Sequence, residues 1–376
     1  MRIAVIGAGI AGLVAAGGLQ RDGHEVTVYE QREHPSADGA GLTLFGNGFA
    51  ALETVGLAEQ VRGVSSNAIA TMQAGQRRPD GRWMLTLPPR AVATLHSVHR
   101  VALQQVLMEQ LAAGTVQTSS PAMVSGDGAP RIWTHNRATD VDLVIVADGL
   151  RSRNRRELGL DTGLSYAGYT AWRGVTDRPV DLQNAAGETW GRGRVFGVVP
   201  LPDNRLYWFG TLTTPAETTF ADEDCVLREL FGDWHDPIPA CLAATPADQV
   251  IRHDIYQLAK PLASFTRART VLLGDAAHAM TPNLGQGAGQ GMEDAATLCL
   301  LLRNTRSDDL EHVLSRYSRL RRKRTTGLWR QSRWMGKMAQ ASGGLTAGLR
   351  DVAMQIVPGS AAGLASAHLG SWVPPR

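Results

Sequence analysis

The 376-residue chain has only three cysteines, Cys225, Cys241 and Cys299, and they lie far apart. They form no Cys-x-x-Cys pair and no metal-ligand spacing, which argues against a disulfide scaffold or a thiolate metal site and suits a reducing cytoplasm. Excess charge is also missing. With 38 Lys and Arg against 35 Asp and Glu the net charge is +3, too little to argue for nucleic acid. No repeat or low-complexity tract appears. The small-apolar stretch at the start, "MRIAVIGAGIAGLVAAGGLQRDG", is rich in glycine rather than leucine, which argues against a signal peptide or membrane span. What remains is an ordinary globular composition, 43% hydrophobic and 19% charged with a mean hydropathy of −0.14. The length suits one large domain or two interleaved ones.

The glycines carry the first positive signal. "RIAVIGAGIAGLVAAGGLQRDGHEVTVYEQRE" reads strand, glycine turn, helix, strand. Ile3 to Ile6 is a continuous apolar run, as a parallel strand covered on both faces requires. Gly7, Gly9 and Gly12 form G-x-G-x-x-G: the first for a tight turn, the second for approach of a pyrophosphate, the third for helix–strand packing. The helix is predicted to run to about Arg21. Glu30 closes the second strand, 18 positions after Gly12, where an acid meets a ribose hydroxyl. Strand before, helix after and acid at this distance predict a dinucleotide site, with FAD or NAD favoured over NADP. No second motif of this kind occurs, so one dinucleotide is expected.

Further along, "HRVALQQVLMEQL" is expected to be helical from about Arg100 to Leu111. "VDLVIVADGLRSRNRREL" reads as a buried strand ending in Asp148-Gly149, and "TVLLGD" as another ending in Gly274-Asp275. Strand carboxyl ends are where ligands bind in open α/β sheets. "TPNLGQGAGQ" is expected to be a loop, because Pro282 and the glycines oppose a regular helix, and "GMEDAATLCLLLR" the helix that follows. Loop amides and the helix N-terminus would stabilise a negative charge. Between these parts, "YAGYTAWRGV", "GETWGRGRVFGVVPL" and "RLYWFGTLTT" read as antiparallel strands of a separate sheet. Trp172, Trp190, Tyr207, Trp208 and Phe209 are each expected mainly to pack.

Three spaced motifs in this order resemble the single-component FAD-dependent aromatic hydroxylases, the group of p-hydroxybenzoate and salicylate hydroxylases and zeaxanthin-epoxidase-like enzymes. They are "GAGIAG" with Glu30, "ADGLRSRNR" with the upstream Arg100, and "LLGDAAHAMTPNLGQGAGQGMED". The resemblance covers nearly the whole chain. It implies an α/β fold: a Rossmann-like FAD-binding domain (1–70, 96–163 and 264–305) interleaved with a β-sheet substrate domain (71–95 and 164–263), then C-terminal helices (306–376). By resemblance, Gly7, Gly9 and Gly12 line the FAD pyrophosphate, Glu30 with Gln31 the adenosine ribose, and Arg100 the FAD backbone. Asp148 and Gly149 serve FAD and nicotinamide handling, and Gly274 and Asp275 the ribityl chain. Pro282, Leu284, Gly285, Gln286, Gly287 and Ala288 meet the isoalloxazine ring, and Thr43 belongs to the segment "GAGLTL" (39–44) that covers it.

The implied activity is monooxygenation of an aromatic or heteroaromatic small molecule, with NADH or NADPH as transient co-substrate, O2 as oxidant and a C4a-hydroperoxyflavin as the oxygenating species. Arg194 and Tyr207 are the candidate catalytic contacts, since both resemble substrate-touching positions of the urate-hydroxylating branch. That branch carries an acid directly after the loop proline. Asn283 stands there instead, which argues against urate. Gly289 replaces an Asn of many relatives. His278 is expected to fix the loop rather than act as a base. A flavin epoxidase or reductase of the same fold and a non-enzymatic flavin protein are the rival readings. No metal, no nucleic acid, no stable membrane anchoring, and a monomer or homodimer in the cytoplasm are expected. The basic run Arg316 to Lys337 is expected to be a solvated helix face, and the tail to be helical and able to cap the pocket.

Overall fold

The computed structural model describes residues 1–34, 40–135, 137–303 and 305–375. A six-stranded sheet forms one half. Its order is Thr266–Arg267, Thr270–Leu272, Leu143–Val146, Arg2–Ile6, Glu25–Tyr29, Val116–Gln117, with all neighbours parallel except the first pair. The central strands read "LVIV" and "IAVI" and are buried along their length. The helix Ile10–Arg21 and residues Ala122, Val124 and Ile132 share one apolar core with these strands, which favours a continuous apolar run over an alternating one. The chain leaves Arg2–Ile6 toward one side for Glu25–Tyr29 and reaches the other side by Leu143–Val146. That is the switch point at which a crevice opens beyond the strand ends.

The helix Ile10–Arg21 follows the first strand and ends as the sequence predicts. It packs against the helix Gly287–Leu302, whose Gly291 sits so close that a Cβ would lie 3.0 Å from the Ala11 Cβ. The latter helix starts four residues earlier than expected, inside the glycine run. Packing against the first helix overrides the low helical propensity of Gly287 and Gly289.

The second half is a seven-stranded sheet, ordered Ile251–Leu258, Leu164–Val175, Leu206–Thr213, Arg194–Pro200, Ala185–Trp190, Gln73–Arg77, Trp83–Leu87. It is antiparallel except between Ala185–Trp190 and Gln73–Arg77. One face is closed by the helices Glu223–Phe231 and Ile238–Ala243, where Trp172, Phe196, Trp208, Phe231 and Trp234 form a core. The other face looks toward the parallel sheet. A three-stranded meander over Ala122–Val124, Arg131–Thr134 and Arg137–Asp140 had no counterpart in the sequence reading. Its strands are three or four residues long, too short for a clear alternation.

The helix Leu310–Ala339 runs along the molecule, followed by the helices Gly344–Ile356 and Gly359–Leu369 against the edge of the large sheet. The basic run is only partly a solvated face. Arg321 is buried and Arg324 half-buried, both turned inward, while Arg330, Arg333 and Lys337 point to solvent.

Candidate active site

Three parallel strands deliver three motifs to one edge. Ile6 leads into Gly7, Val146 into Ala147-Asp148-Gly149, and Leu272 into Leu273-Gly274-Asp275. Gly7 has a φ of 105°, and a Cβ there would lie 2.5 Å from the Ala147 carbonyl oxygen. A Cβ on Gly12 would lie 2.1 Å from the Gly7 oxygen. Gly9 differs: a Cβ on it would meet no protein atom within 4 Å. Its glycine therefore keeps space open for something other than the protein. The helix begins with a bond from Leu13 to the Gly9 carbonyl, leaving the amides of Ile10, Ala11 and Gly12 outside the ladder and toward that space.

Glu30 accepts from the Ala8 amide at 2.9 Å and the Arg32 amide at 2.9 Å. A carboxylate offers further lone pairs for ribose hydroxyls. Gln31 is exposed beside it. Arg100 starts the helix Arg100–Glu109, and its side chain is exposed. Asp148 accepts from the Asn154 side-chain amide at 3.0 Å, while its Oδ1 is buried and has no partner among the described residues. Gly149 has open space at its Cβ position. Gly274 takes the left-handed conformation, φ 59°, and turns the chain so that Asp275 is exposed.

The loop after this strand makes a tight turn at Pro282–Leu284, and Gly285 follows at φ 62°. A Cβ on Gly285 would lie 3.1 Å from the Phe45 ring and 3.7 Å from the Thr43 hydroxyl. The strand Gly41–Leu44 thus stands across from the loop; Gly39 lies outside the described residues. The helix ladder begins with Gln290 bonding to the Gln286 carbonyl at 2.8 Å. The amides of Gly287, Ala288 and Gly289 precede it and are free to stabilise an anion. A Cβ on Gly287 would again meet nothing within 4 Å, and the buried Gln286 Nε2 has no partner among the described residues. The side-chain amide of Asn47 covers Gly289, with its Nδ2 3.1 Å from where a Cβ would be. It donates to Gln286 at 2.9 Å and Glu293 at 2.7 Å.

Behind the loop lies a charge cluster that sequence reading missed. Asp294 and Glu293 are fully buried. Asp294 accepts from the Gly274 amide at 2.8 Å and from His278 Nε2 and Arg321 Nε at 2.5 Å each. Glu293 takes Arg321 and Arg324, each at 2.6 Å. Burial by itself would raise the Asp294 pKa, but His278 and Arg321 outweigh it and hold the carboxyl below its ordinary value. His278 is buried and turned into this cluster, away from the open edge. The helix spacing of "MED" and an arginine in a basic run were the available signals, but neither states which way a side chain turns.

The seven-stranded sheet stands opposite this edge. Strand register puts Tyr169, Ala171, Arg173 and Val175 on one face with Tyr207, Phe209 and Thr211. Gly41 is in contact with Tyr207, since a Cβ on it would lie 2.5 Å from the Tyr207 Cβ. Asn283 donates to the Tyr169 hydroxyl at 2.9 Å, tying the loop to the sheet. Burial pushes the phenols of Tyr169 and Tyr207 up; Asn283 and Arg173 offset part of this at Tyr169, and Arg173 and Arg100 at Tyr207. Both phenols therefore stay neutral at neutral pH, and that of Tyr169 accepts the Asn283 hydrogen bond.

Arg194 is a correction. It pairs across the sheet with Leu212, on the face of Phe196 and Trp208. Its guanidinium donates to the Leu230 carbonyl at 2.7 Å and lies over Trp234. Because side chains alternate along a strand, Arg194 and Tyr207 project from opposite faces and cannot meet one substrate. Arg173 is the arginine on the open face. It is half-buried and makes no hydrogen bond or ion pair among the described residues. Its place in "YTAWRGV" was legible, but its face depends on the register.

The protein atoms fit a flavin dinucleotide. The cradles at Gly9 and Gly287 lack Cβ atoms, polar atoms of Asp148 and Gln286 are left unpaired, and Asp275 is free at a strand end. Residues 1–332 match the family model described as FAD binding domain, and the chain belongs to that family. It is 31% identical to the aurachin C monooxygenase/isomerase of Stigmatella aurantiaca, over 95% of this chain and 94% of that one. It is 32% identical to the 3-amino-4-hydroxybenzoate 2-monooxygenase of Streptomyces cremeus, over 89% and 86%. Its fold matches the Klebsiella pneumoniae HpxO solved with FAD and uric acid, with a TM-score of 0.88, 25% identity and coverage of 98% and 96%. Within its family the chain is an FAD-dependent monooxygenase of the aromatic-hydroxylase class.

Proposed function

We propose that this monooxygenase hydroxylates an aromatic or heteroaromatic ring that carries an anionic oxygen or carboxylate, using NADH or NADPH and O2. The observation that carries this reading is Arg173, an unpaired guanidinium facing the flavin side from a wall of Tyr169, Tyr207 and Phe209. The 2-heptyl-3-hydroxy-4(1H)-quinolone synthase of Pseudomonas aeruginosa, 30% identical over 95% of this chain and 94% of that one, is a relative whose name specifies a hydroxylated heteroaromatic product.

The chemistry FAD supplies when bound is the passage of reducing equivalents from the nicotinamide to O2. The residues of this chain do the rest. Gly7, Gly9, Gly12, Glu30, Gln31 and Arg100 hold the dinucleotide, with Asp148, Gly149, Gly274 and Asp275 at the other strand ends. Thr43 and the turn Pro282, Leu284, Gly285 and Gln286 frame the ring, and the amides of Gly287 and Ala288 meet negative charge in a site that excludes water. Arg173 fixes the substrate anion by charge-assisted hydrogen bonds. The Tyr169–Asn283 bond sets the distance between wall and loop, and Tyr207 closes the pocket against the strand Gly41–Leu44. We assign this activity to the cytoplasm, from the three unpaired cysteines, and to a monomer or homodimer. The test is turnover of purified holoprotein with phenols, hydroxybenzoates and hydroxyquinolines under 18O2. The expected product gains one labelled oxygen, and turnover under strict anaerobiosis would sink the proposal.

A further inference from the structure

The helix Gly344–Ile356 has two apolar faces. Ala347, Arg350 and Met354, spaced three and four apart, are buried against the sheet. There Met354 packs with Met84, Trp190 and Val195, and Arg350 donates to the carbonyls of Gly191 at 3.1 Å and Ala339 at 3.0 Å. Leu345, Leu349, Val352 and Ile356, spaced four, three and four apart, fall on the opposite side of the helix. They are 86%, 71%, 52% and 74% exposed. The neighbouring helices also carry exposed apolar side chains, Leu364 at 66% and Trp334 at 59%. A row of this kind exceeds the scattered apolar side chains of a normal surface.

The tail carries almost no negative charge. Beyond Glu311 the sequence contains one acid, Asp351, and it is paired with Arg78 and Arg350. Arg330, Arg333 and Lys337 are exposed on the turns leading to the helix. The Arg192 guanidinium stands 3.7 Å from the Cβ position of Gly344, at the start of the apolar row. Arg90 is exposed on the short helix Pro89–Val92, whose Ala91 packs against the second tail helix at Gly363.

We propose that this C-terminal face docks the enzyme reversibly on an anionic lipid surface, the leucine row entering the headgroup–acyl boundary and the arginines meeting phosphate. A second copy of the chain is the poorer occupant, because a two-fold contact would set the arginines of the tail against themselves while the tail's one carboxylate, Asp351, is already paired. A nucleic acid would meet the arginines but leave the leucines exposed. Among the described residues no helix is long and apolar enough to cross a membrane, so the contact is interfacial. The docked helix packs on Trp190 and Val195 of the substrate sheet, placing that edge of the sheet toward the lipid.

The experiment is co-sedimentation of the holoenzyme with vesicles of phosphatidylcholine alone and of equal parts phosphatidylcholine and phosphatidylglycerol. Wild type is expected to pellet at least ~10-fold more with the anionic vesicles, and less as salt rises. The triple variant Leu345→Gln, Leu349→Gln, Ile356→Gln is expected to stay in the supernatant while keeping its flavin absorbance and melting temperature. The charge variant Arg333→Glu, Lys337→Glu is expected to lose the preference for anionic vesicles. The proposal is overturned if wild type ignores both vesicles or if the glutamine variant binds like wild type. A self-association in sedimentation velocity that the glutamines abolish, without vesicle binding, would assign the face to a second copy instead. Binding of duplex DNA that the glutamines leave unchanged would assign the arginines to nucleic acid.

Discussion

The two sheets of this protein make their halves of the site in different ways. The parallel sheet works through backbone: glycines at strand ends, amides at two helix starts, and carboxylates at Glu30, Asp148 and Asp275. The seven-stranded sheet works through side chains on one of its faces. In the first half a residue's role follows from its distance along the chain to a glycine. In the second it follows from parity, and a shift of one position exchanges wall for core. Arg173 and Arg194 show the consequence. Both are arginines on strands of the substrate sheet, yet one faces the flavin side and the other lies over Trp234.

The comparison breaks most completely if the support beneath the backbone half is removed. Arg321→Met takes from the buried Glu293 and Asp294 the guanidinium they share, leaving Arg324 and His278 to face them, so a loss of about 3 kcal/mol in urea unfolding is expected. The same cluster sets the acid limit. The folded Asp294 pKa lies below its unfolded value near ~4, so its contribution is present above that value and is lost as pH falls through the lower folded one. Wild-type stability should therefore hold down to about pH 4–5 and decline below it, as followed by tryptophan fluorescence.

Next comes a pair of glycine substitutions. Gly12→Val must push against the Gly7 carbonyl, and loss of both flavin and fold is expected. Gly9→Ala meets no protein atom. The apoprotein should melt as wild type while the purified enzyme retains much less flavin, read as the 450-to-280 nm absorbance ratio. Equal behaviour of the two would remove the distinction between glycines that serve packing and glycines that serve the ligand.

The arginines sharpen the comparison on the other side. Arg173→Gln should raise KM for an acidic substrate about 10- to 100-fold, as expected for a lost hydrogen bond to a charged group, with little change in flavin content. Arg194→Gln should leave KM and kcat within about two-fold and cost about 1 kcal/mol of stability through the Leu230 carbonyl. Steady-state kinetics on both variants decides between the faces, and a reversed pattern would overturn the assignment. Tyr169→Phe is the mildest change. It removes the acceptor of Asn283, and a loss of about 1 kcal/mol or less is expected, with kcat lowered more than KM because loop position shifts.

Much of this was legible before any tertiary contact was known. The first strand, the helix to Arg21, the strand ends at Asp148 and Gly274-Asp275, and the order of the motifs follow from local rules: apolar runs, glycine spacing and an acid at a fixed distance. Those rules act within about 30 residues of chain, roughly one βαβ unit, and need no partner. The glycine run at Gly287 was misjudged because propensity says loop, whereas packing on Ala11 says helix. The basic run was half misjudged because charge composition does not tell which arginine turns inward to a buried acid.

The sequence by itself determined that this is a flavin protein, since glycine spacing and strand–turn–helix order act locally. Only the tertiary structure decided which arginine of the large sheet faces the parallel sheet, and that Arg321, Arg324 and His278 gather around the buried Glu293 and Asp294. It alone showed that the helix Gly344–Ile356 keeps a second apolar face uncovered. Each of these depends on register or burial against a distant element, and neither is encoded in a residue's neighbours along the chain.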